Sequence, residues 1–84
     1  MTSHNENQGV AKVYGKPQCY GCKLTLKVMD TEGIAYNYVD ITQNEVAHQE
    51  VKNLAVGTQL PLVVAGEQQW QGFSPDKIRG LKSE

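Results

Sequence analysis

Apolar residues fall in short groups whose spacing changes along the chain, and each change marks a structural element. Val10-Ala11-Lys12-Val13-Tyr14 alternates as a strand does, and Gly15-Lys16-Pro17-Gln18 breaks it. From Cys19 the spacing turns helical: Cys22, Leu26 and Met29 share a face, Leu24 and Val28 lie alongside, and Gly33 is the C-terminal stop. Ile34 to Ile41 (IAYNYVDI) is rich in β-branched and aromatic residues and reads as a second strand. Thr42-Gln43-Asn44-Glu45 has capping-box spacing and opens a second helix, with Ala47, Val51 and Leu54 on its apolar face.

The second half is built from shorter pieces. Gly57-Thr58-Gln59-Leu60-Pro61 is a loop running into the apolar strand Leu62-Val63-Val64-Ala65. Pro61 has no N–H for a sheet ladder, so it belongs at the start of that strand, where a cis bond is possible. Gly66-Glu67 supplies a hairpin turn into Gln68-Gln69-Trp70-Gln71. Ser74-Pro75-Asp76 then starts a last helix with a hydroxyl, a proline in the first turn and an acid suited to the dipole. Ile78 and Leu81 give that helix an apolar side, and Gly80 weakens it. The order is βαβαββα, an α/β pattern in which the first two strands, joined by a crossover helix, should run parallel.

The chain has 84 residues, enough for one domain and too few for two. At this size folding buries only a little over ~60% of the unfolded surface, so modest stability is expected. Residues 1–9 (MTSHNENQG) hold no large apolar side chain beyond Met1 and are expected to be a disordered tail, with a single domain over 10–84. Eight Lys plus Arg against nine Asp plus Glu leave a net charge of −1, without the basic surplus of a nucleic-acid binder. No run approaches the ~18 apolar residues of a membrane span, and the first nine residues lack signal-peptide features. A cytoplasmic protein that binds neither nucleic acid nor membrane is the expectation.

The only two cysteines stand three positions apart, as Cys19-Tyr20-Gly21-Cys22. A disulfide between them would close almost no loop and add little stability, so the pair points to redox or metal chemistry. With Cys19 at the helix N-cap and Cys22 one turn inside, Cys19 faces unpaired backbone N–H groups and the positive end of the dipole. From Asn7 to Met29 the chain carries Lys12, Lys16, Lys23 and Lys27 and no acid. Both features favour thiolate, and CxxC cysteines reach a pKa of about 7 from about 8.5. That change raises the thiolate fraction about sixteenfold at neutral pH while nucleophilicity falls four- to fivefold, roughly a three- to fourfold net gain in rate. The larger consequence is for the reduction potential, because the dithiol form is stabilised. Cys19 is then the attacking thiol and the more buried Cys22 the resolving one, and Cys22→Ser should trap a mixed disulfide.

From about Val10 to Leu81 the chain resembles the thioredoxin-fold glutaredoxins, and among them the NrdH-type redoxins, small electron donors of class Ib ribonucleotide reductases. Three segments carry the resemblance: Lys16-Pro17-Gln18-Cys19-Tyr20-Gly21-Cys22, Pro61 before the third strand, and Trp70-Gln71-Gly72-Phe73-Ser74-Pro75-Asp76. The resemblance implies a four-stranded mixed sheet flanked by three helices, a monomer, and reduction by thioredoxin reductase rather than glutathione. It also implies a cis peptide at Pro61 beside Cys19, and ribonucleotide reductase large subunit as the target. Lys16, Pro17, Tyr20, Gly21, Leu60, Pro61, Trp70, Gly72, Phe73, Ser74, Pro75 and Asp76 are the implied partner-binding residues. Leu60 and the Tyr20-Gly21 pair depart from the NrdH pattern. No bound cofactor is implied, because the disulfide of Cys19 and Cys22 is itself the working group.

Other readings remain beside this one. A glutathione-coupled glutaredoxin uses the same motif. A metal-binding module would need two chains sharing Cys19 and Cys22, since a structural zinc site takes four ligands and the only histidines are His4 and His48. His48 falls on the polar face of the second helix. Trp70 reads equally as a strand aromatic bracing the last helix and as a recognition residue. Tyr14, Tyr36 and Tyr38 read as sheet residues without special chemistry.

Overall fold

The computed structural model describes residues 10–55, 57 and 59–82, so the expectation of a disordered tail over 1–9 lies outside the described residues. The elements are β1 (Ala11–Gly15), α1 (Tyr20–Glu32), β2 (Tyr36–Asp40), α2 (Glu45–Leu54), β3 (Leu62–Ala65), β4 (Gln68–Gln71) and α3 (Pro75–Lys82). They occur in the expected order. The sheet has four strands in the order β2-β1-β3-β4, with β1 and β2 parallel, β3 antiparallel to β1, and β4 antiparallel to β3.

Strand alternation divides the core between the two faces of this sheet. Ala11 and Val13 of β1, Val63 of β3 and Trp70 of β4 pack with Met29 of α1 and Ile78 of α3. Tyr14 and Leu62 point the other way and pack with Ala47 and Val51 of α2. The helices therefore lie with α1 and α3 on one face and α2 on the other. Arg79 of α3 reaches Glu32 at the end of α1 at 3.4 Å, which ties the two helices on the first face together.

Helix ends follow local chemistry, in one place differently from expectation. Gly33 takes φ +73°, and the N–H groups of Gly33 and Ile34 donate to the carbonyls of Asp30 and Met29. This is the Schellman arrangement, and it draws Ile34 into the helix cap, so β2 starts only at Tyr36. The start of α2 corrects the capping-box reading: the cap is Asn44 and not Thr42. Asn44 Oδ1 accepts the Ala47 N–H at 3.0 Å, while the N–H and hydroxyl of Thr42 both donate to Asp40 Oδ1. Asp40 at the end of β2 offers a nearer acceptor, so Thr42 closes a turn and the helix begins two residues later. Leu54, expected on the apolar face, is exposed because the helix ends there. The extended residue Ala55 packs onto the core instead.

Candidate active site

β1 ends at Gly15, and the loop after it delivers the chain to α1 through Gln18, the one non-glycine residue with positive φ (+64°) among those described. Left-handed backbone is strained for a residue with a Cβ. It turns the chain so that Cys19 enters extended, at φ −100° and ψ 107°, and occupies the expected N-cap. Cys19 Sγ accepts the Cys22 N–H at 3.3 Å, and the Cys19 carbonyl accepts the first helical bond from the Lys23 N–H at 3.1 Å. The two cysteines form a disulfide with their Cα atoms 5.2 Å apart. Their exposures differ as a relay needs: Cys19 is half-buried and Cys22 is 2% exposed. Thr25, fully buried one turn on, donates its hydroxyl to the Gly21 carbonyl at 2.8 Å and so has no donor left for sulfur.

Three segments distant in sequence converge here. Leu60 to Pro61 is a cis peptide, with Pro61 buried immediately before β3. A Cβ built on Gly21 would stand 3.4 Å from Pro61 Cδ, 3.8 Å from the Leu60 carbonyl oxygen and 3.9 Å from Phe73 Cβ. The glycine between the cysteines thus lies against both the proline loop and the segment after β4. The Gly72 N–H donates to the Pro61 carbonyl at 2.8 Å, and Gln71 Nε2 donates to the Gln59 carbonyl at 3.0 Å, which fixes those two segments together. Gly72 has φ +87°, and a Cβ there would come 2.9 Å from Gln59 Nε2, so only glycine fits without displacement. Around this junction Tyr20 is 74% exposed, Phe73 is exposed, Leu60 is half-buried, and Lys16 and Pro17 are exposed in the loop before Cys19.

Other residues singled out from the sequence have different surroundings. Trp70 is 7% exposed and packs in the core with Val63 and Ile78, which is the bracing role, and its indole N–H is buried without a hydrogen-bond partner among the described residues. Ser74 and Pro75 open α3 as expected, the Ile78 N–H donating to the Ser74 carbonyl, and the exposed Asp76 lies 3.7 Å from Arg79. Lys12 leaves the set of lysines credited with favouring thiolate, because its ammonium lies 3.5 Å from Glu50 of α2, on the α2 face of the sheet. Glu50 also accepts the Tyr14 hydroxyl at 2.8 Å.

Two residues were missed in the sequence. A Cβ on Gly15 would stand 2.7 Å from Cys22 Sγ, 2.9 Å from Tyr38 Cε1 and 3.1 Å from the Tyr38 hydroxyl. Gly15 therefore lies against the buried sulfur, with Tyr38 packed against the same glycine. The only signal in the sequence was a glycine four positions before the first cysteine, which serves equally well as an ordinary strand end. Among the described residues there is no group of three or more metal-ligating side chains, and no helix is long and apolar enough to cross a membrane.

Comparison with known proteins adds a consistent picture. The glutaredoxin family profile matches residues 11–70. The glutaredoxin-like protein NrdH of Escherichia coli K12 is 29% identical over 69 residues, 82% of this chain and 84% of its own length. That of Salmonella typhimurium is 30% identical over the same shares. The solved structure of the E. coli NrdH-redoxin superposes with a TM-score of 0.80 at 28% identity, covering 86% of this chain and 93% of that one. The glutaredoxin of Archaeoglobus fulgidus, with a TM-score of 0.74 and 22% identity over 96% of this chain and 94% of its own, shares the fold.

Proposed function

This chain belongs to the glutaredoxin family and is a thiol-disulfide oxidoreductase, and from that premise we propose that it is an NrdH-type electron donor. It reduces a disulfide in the large subunit of a class Ib ribonucleotide reductase and is itself reduced by thioredoxin reductase rather than glutathione. What supports this reading is that likeness in sequence and likeness in structure both lead to NrdH over most of the two chains, and that the E. coli NrdH-redoxin is a glutaredoxin-like protein with a thioredoxin-like activity profile. The protein works as a monomer in the cytoplasm and needs no bound cofactor, because the Cys19–Cys22 pair carries the electrons.

The site residues take the following roles. The Cys19 thiolate attacks the target disulfide, forming a Cys19–target bond and releasing one target sulfur as thiolate. Deprotonated Cys22 then attacks Cys19 Sγ, the internal disulfide closes, and the second target sulfur leaves and takes a proton from solvent. Two electrons have passed to the target. Tyr20, Phe73, Leu60 and Pro17 offer apolar surface for a partner around the cysteine pair, Lys16 offers a positive charge, Gly21 lets the Pro61 loop pack against the cysteine turn, and Gly72 holds the Pro61 carbonyl. Trp70 contributes by holding β4 on the core, and Ser74, Pro75 and Asp76 by starting α3.

Coupled oxidation of NADPH tests the choice of reductant. Turnover of a protein disulfide is expected with thioredoxin reductase and little with glutathione plus glutathione reductase. The opposite result would make the chain a glutathione-coupled glutaredoxin.

A further inference from the structure

Cys22 presents an electrostatic problem that the paired cysteines alone do not solve. Each catalytic cycle leaves its sulfur as a thiolate, once as the attacking group when the internal disulfide closes and once as the leaving group when that disulfide is reduced. At 2% exposure it has almost no access to water. A buried anion without a hydrogen-bond donor is costly, and burial pushes a thiol toward its neutral form. The nearby donors are engaged: the Cys22 N–H points to Cys19 Sγ and the Thr25 hydroxyl to the Gly21 carbonyl.

We propose that the Tyr38 hydroxyl donates a hydrogen bond to Cys22 Sγ when that sulfur is charged, which makes Tyr38 a positioning residue for the resolving thiolate. The geometry rests on Gly15. The point where its Cβ would stand lies 2.7 Å from Cys22 Sγ and 3.1 Å from the Tyr38 hydroxyl, so a sulfur and a phenol converge on one small space that only glycine leaves open. Tyr38 is brought there by register: its Cα partner is Val13, whose side chain points to the α1 face. With the Cys19–Cys22 disulfide closed, its hydroxyl makes no hydrogen bond among the described residues and is free to turn to the sulfur, whereas that of Tyr36 on the same face donates to Asp30 and that of Tyr14 to Glu50. At 39% exposure Tyr38 also reaches solvent. Burial, and secondarily the Asp40 carboxylate, raise the Tyr38 pKa above its ordinary value, so the hydroxyl keeps its proton across physiological pH.

The step is balanced without any added reagent. When a reductant thiolate attacks Cys19, a reductant–Cys19 bond forms, the Cys19–Cys22 bond breaks, and Cys22 leaves with the electron pair. Tyr38 holds that charge by its O–H until a proton arrives from solvent, and the reverse path serves the closing step. Nothing here depends on which reductase or target protein is used.

The test uses Tyr38→Phe, which keeps the ring, with Tyr36→Phe as the matched control. Oxidised glutathione serves as a small-molecule disulfide, so the result stands apart from the choice of partner. Two rates are followed: formation of the mixed disulfide at Cys19, and its collapse by Cys22. The thiolate absorbance of Cys22 is also measured in a Cys19→Ser background, and thermal unfolding checks the fold of each variant. Tyr38→Phe is expected to lower the Cys22 thiolate fraction about tenfold at neutral pH, within the range of a hydrogen bond to a charged group. Collapse should then slow about threefold, because nucleophilicity rises as the thiol pKa rises. Mixed-disulfide formation should stay within twofold of the parent. Unchanged collapse and thiolate fraction would overturn the proposal, and so would equal slowing of both rates.

Discussion

α1 and α2 begin with the same geometry and different atoms. In each, an extended residue places its side chain to accept the N–H three positions on: Cys22 N–H to Cys19 Sγ at 3.3 Å, and Ala47 N–H to Asn44 Oδ1 at 3.0 Å. The amide oxygen of Asn44 is a good acceptor at any pH and in any redox state, so α2 has a permanent cap. A sulfur in a thiol or disulfide accepts weakly, and Cys19 becomes a strong cap only as a thiolate. The first turns are matched to these uses. α2 has Glu45 there, which favours the helix dipole, while the first turn of α1 has no acid and leaves that dipole to the cysteine. The same backbone motif caps a helix in one place and, under the proposed function, serves a reactive thiolate in the other.

The most severe way to break this comparison is to give α1 the cap of α2. Cys19→Asn is expected to fold, with an unfolding midpoint at or above that of the reduced parent, and to lose disulfide exchange entirely. Residual turnover would mean that Cys22 can attack external disulfides. Removing the other cap gives the next largest effect: Asn44→Ala should cost about 1 kcal/mol, which lowers the midpoint by roughly 4–8 °C in a domain of this size. Its exchange rate should stay within twofold, and a parallel loss of activity would show that the two helix starts are coupled.

Lys23→Glu sharpens the comparison by giving the start of α1 the acid it lacks. It should raise the Cys19 pKa by about half a unit, as expected for a surface charge near a helix N-terminus. The pH dependence of Cys19 alkylation measures this, and no change would mean that the acid-free first turn is irrelevant to the thiol.

The smallest effect separates the permanent interactions from the redox-dependent one. Burial is the main cause raising the pKa values of Tyr14 and Tyr36, with hydrogen bonds to Glu50 and Asp30 adding to it. Lys12 is raised chiefly by its interaction with the Tyr14 hydroxyl. Each group holds its proton more tightly in the folded protein than in the unfolded chain. Their stabilisation is complete below the ordinary values, near 10 for the phenols, and is lost as pH rises through the raised ones. The unfolding midpoint of the oxidised protein should fall above about pH 10, and Tyr14→Phe should fall less steeply. An equally steep fall in that variant would exclude Tyr14 as a source.

Local features were legible along the chain because their causes are local. Cys19 at the N-cap, Gly33 as the left-handed stop, Pro61 at the head of β3 and Ser74-Pro75 at the start of α3 follow from backbone preferences within a few residues. Thr42 misled because two capping residues compete within three positions, and Asp40, on the preceding strand, decides between them. Trp70 stood open between core and surface until the pairing of β4 with β3 put it opposite Val63, over Ile78. Lys12 counted among the charges near Cys19 by sequence distance, but strand alternation sends it to the α2 face and to Glu50.

The sequence by itself determined the order of elements, the parallel β1–β2 pair and the identity of the two reacting sulfurs. Each depends on periodicity, on glycine and proline, or on residue type, which act over a few positions. Only the tertiary structure decided what surrounds those sulfurs. Strand register brings Tyr38 to Gly15 beside Cys22, and the fold brings the Pro61 loop and Phe73 to Gly21, from as far as fifty residues along the chain. Such contacts arise when distant side chains are buried against one another, and no local pattern encodes which atoms will meet.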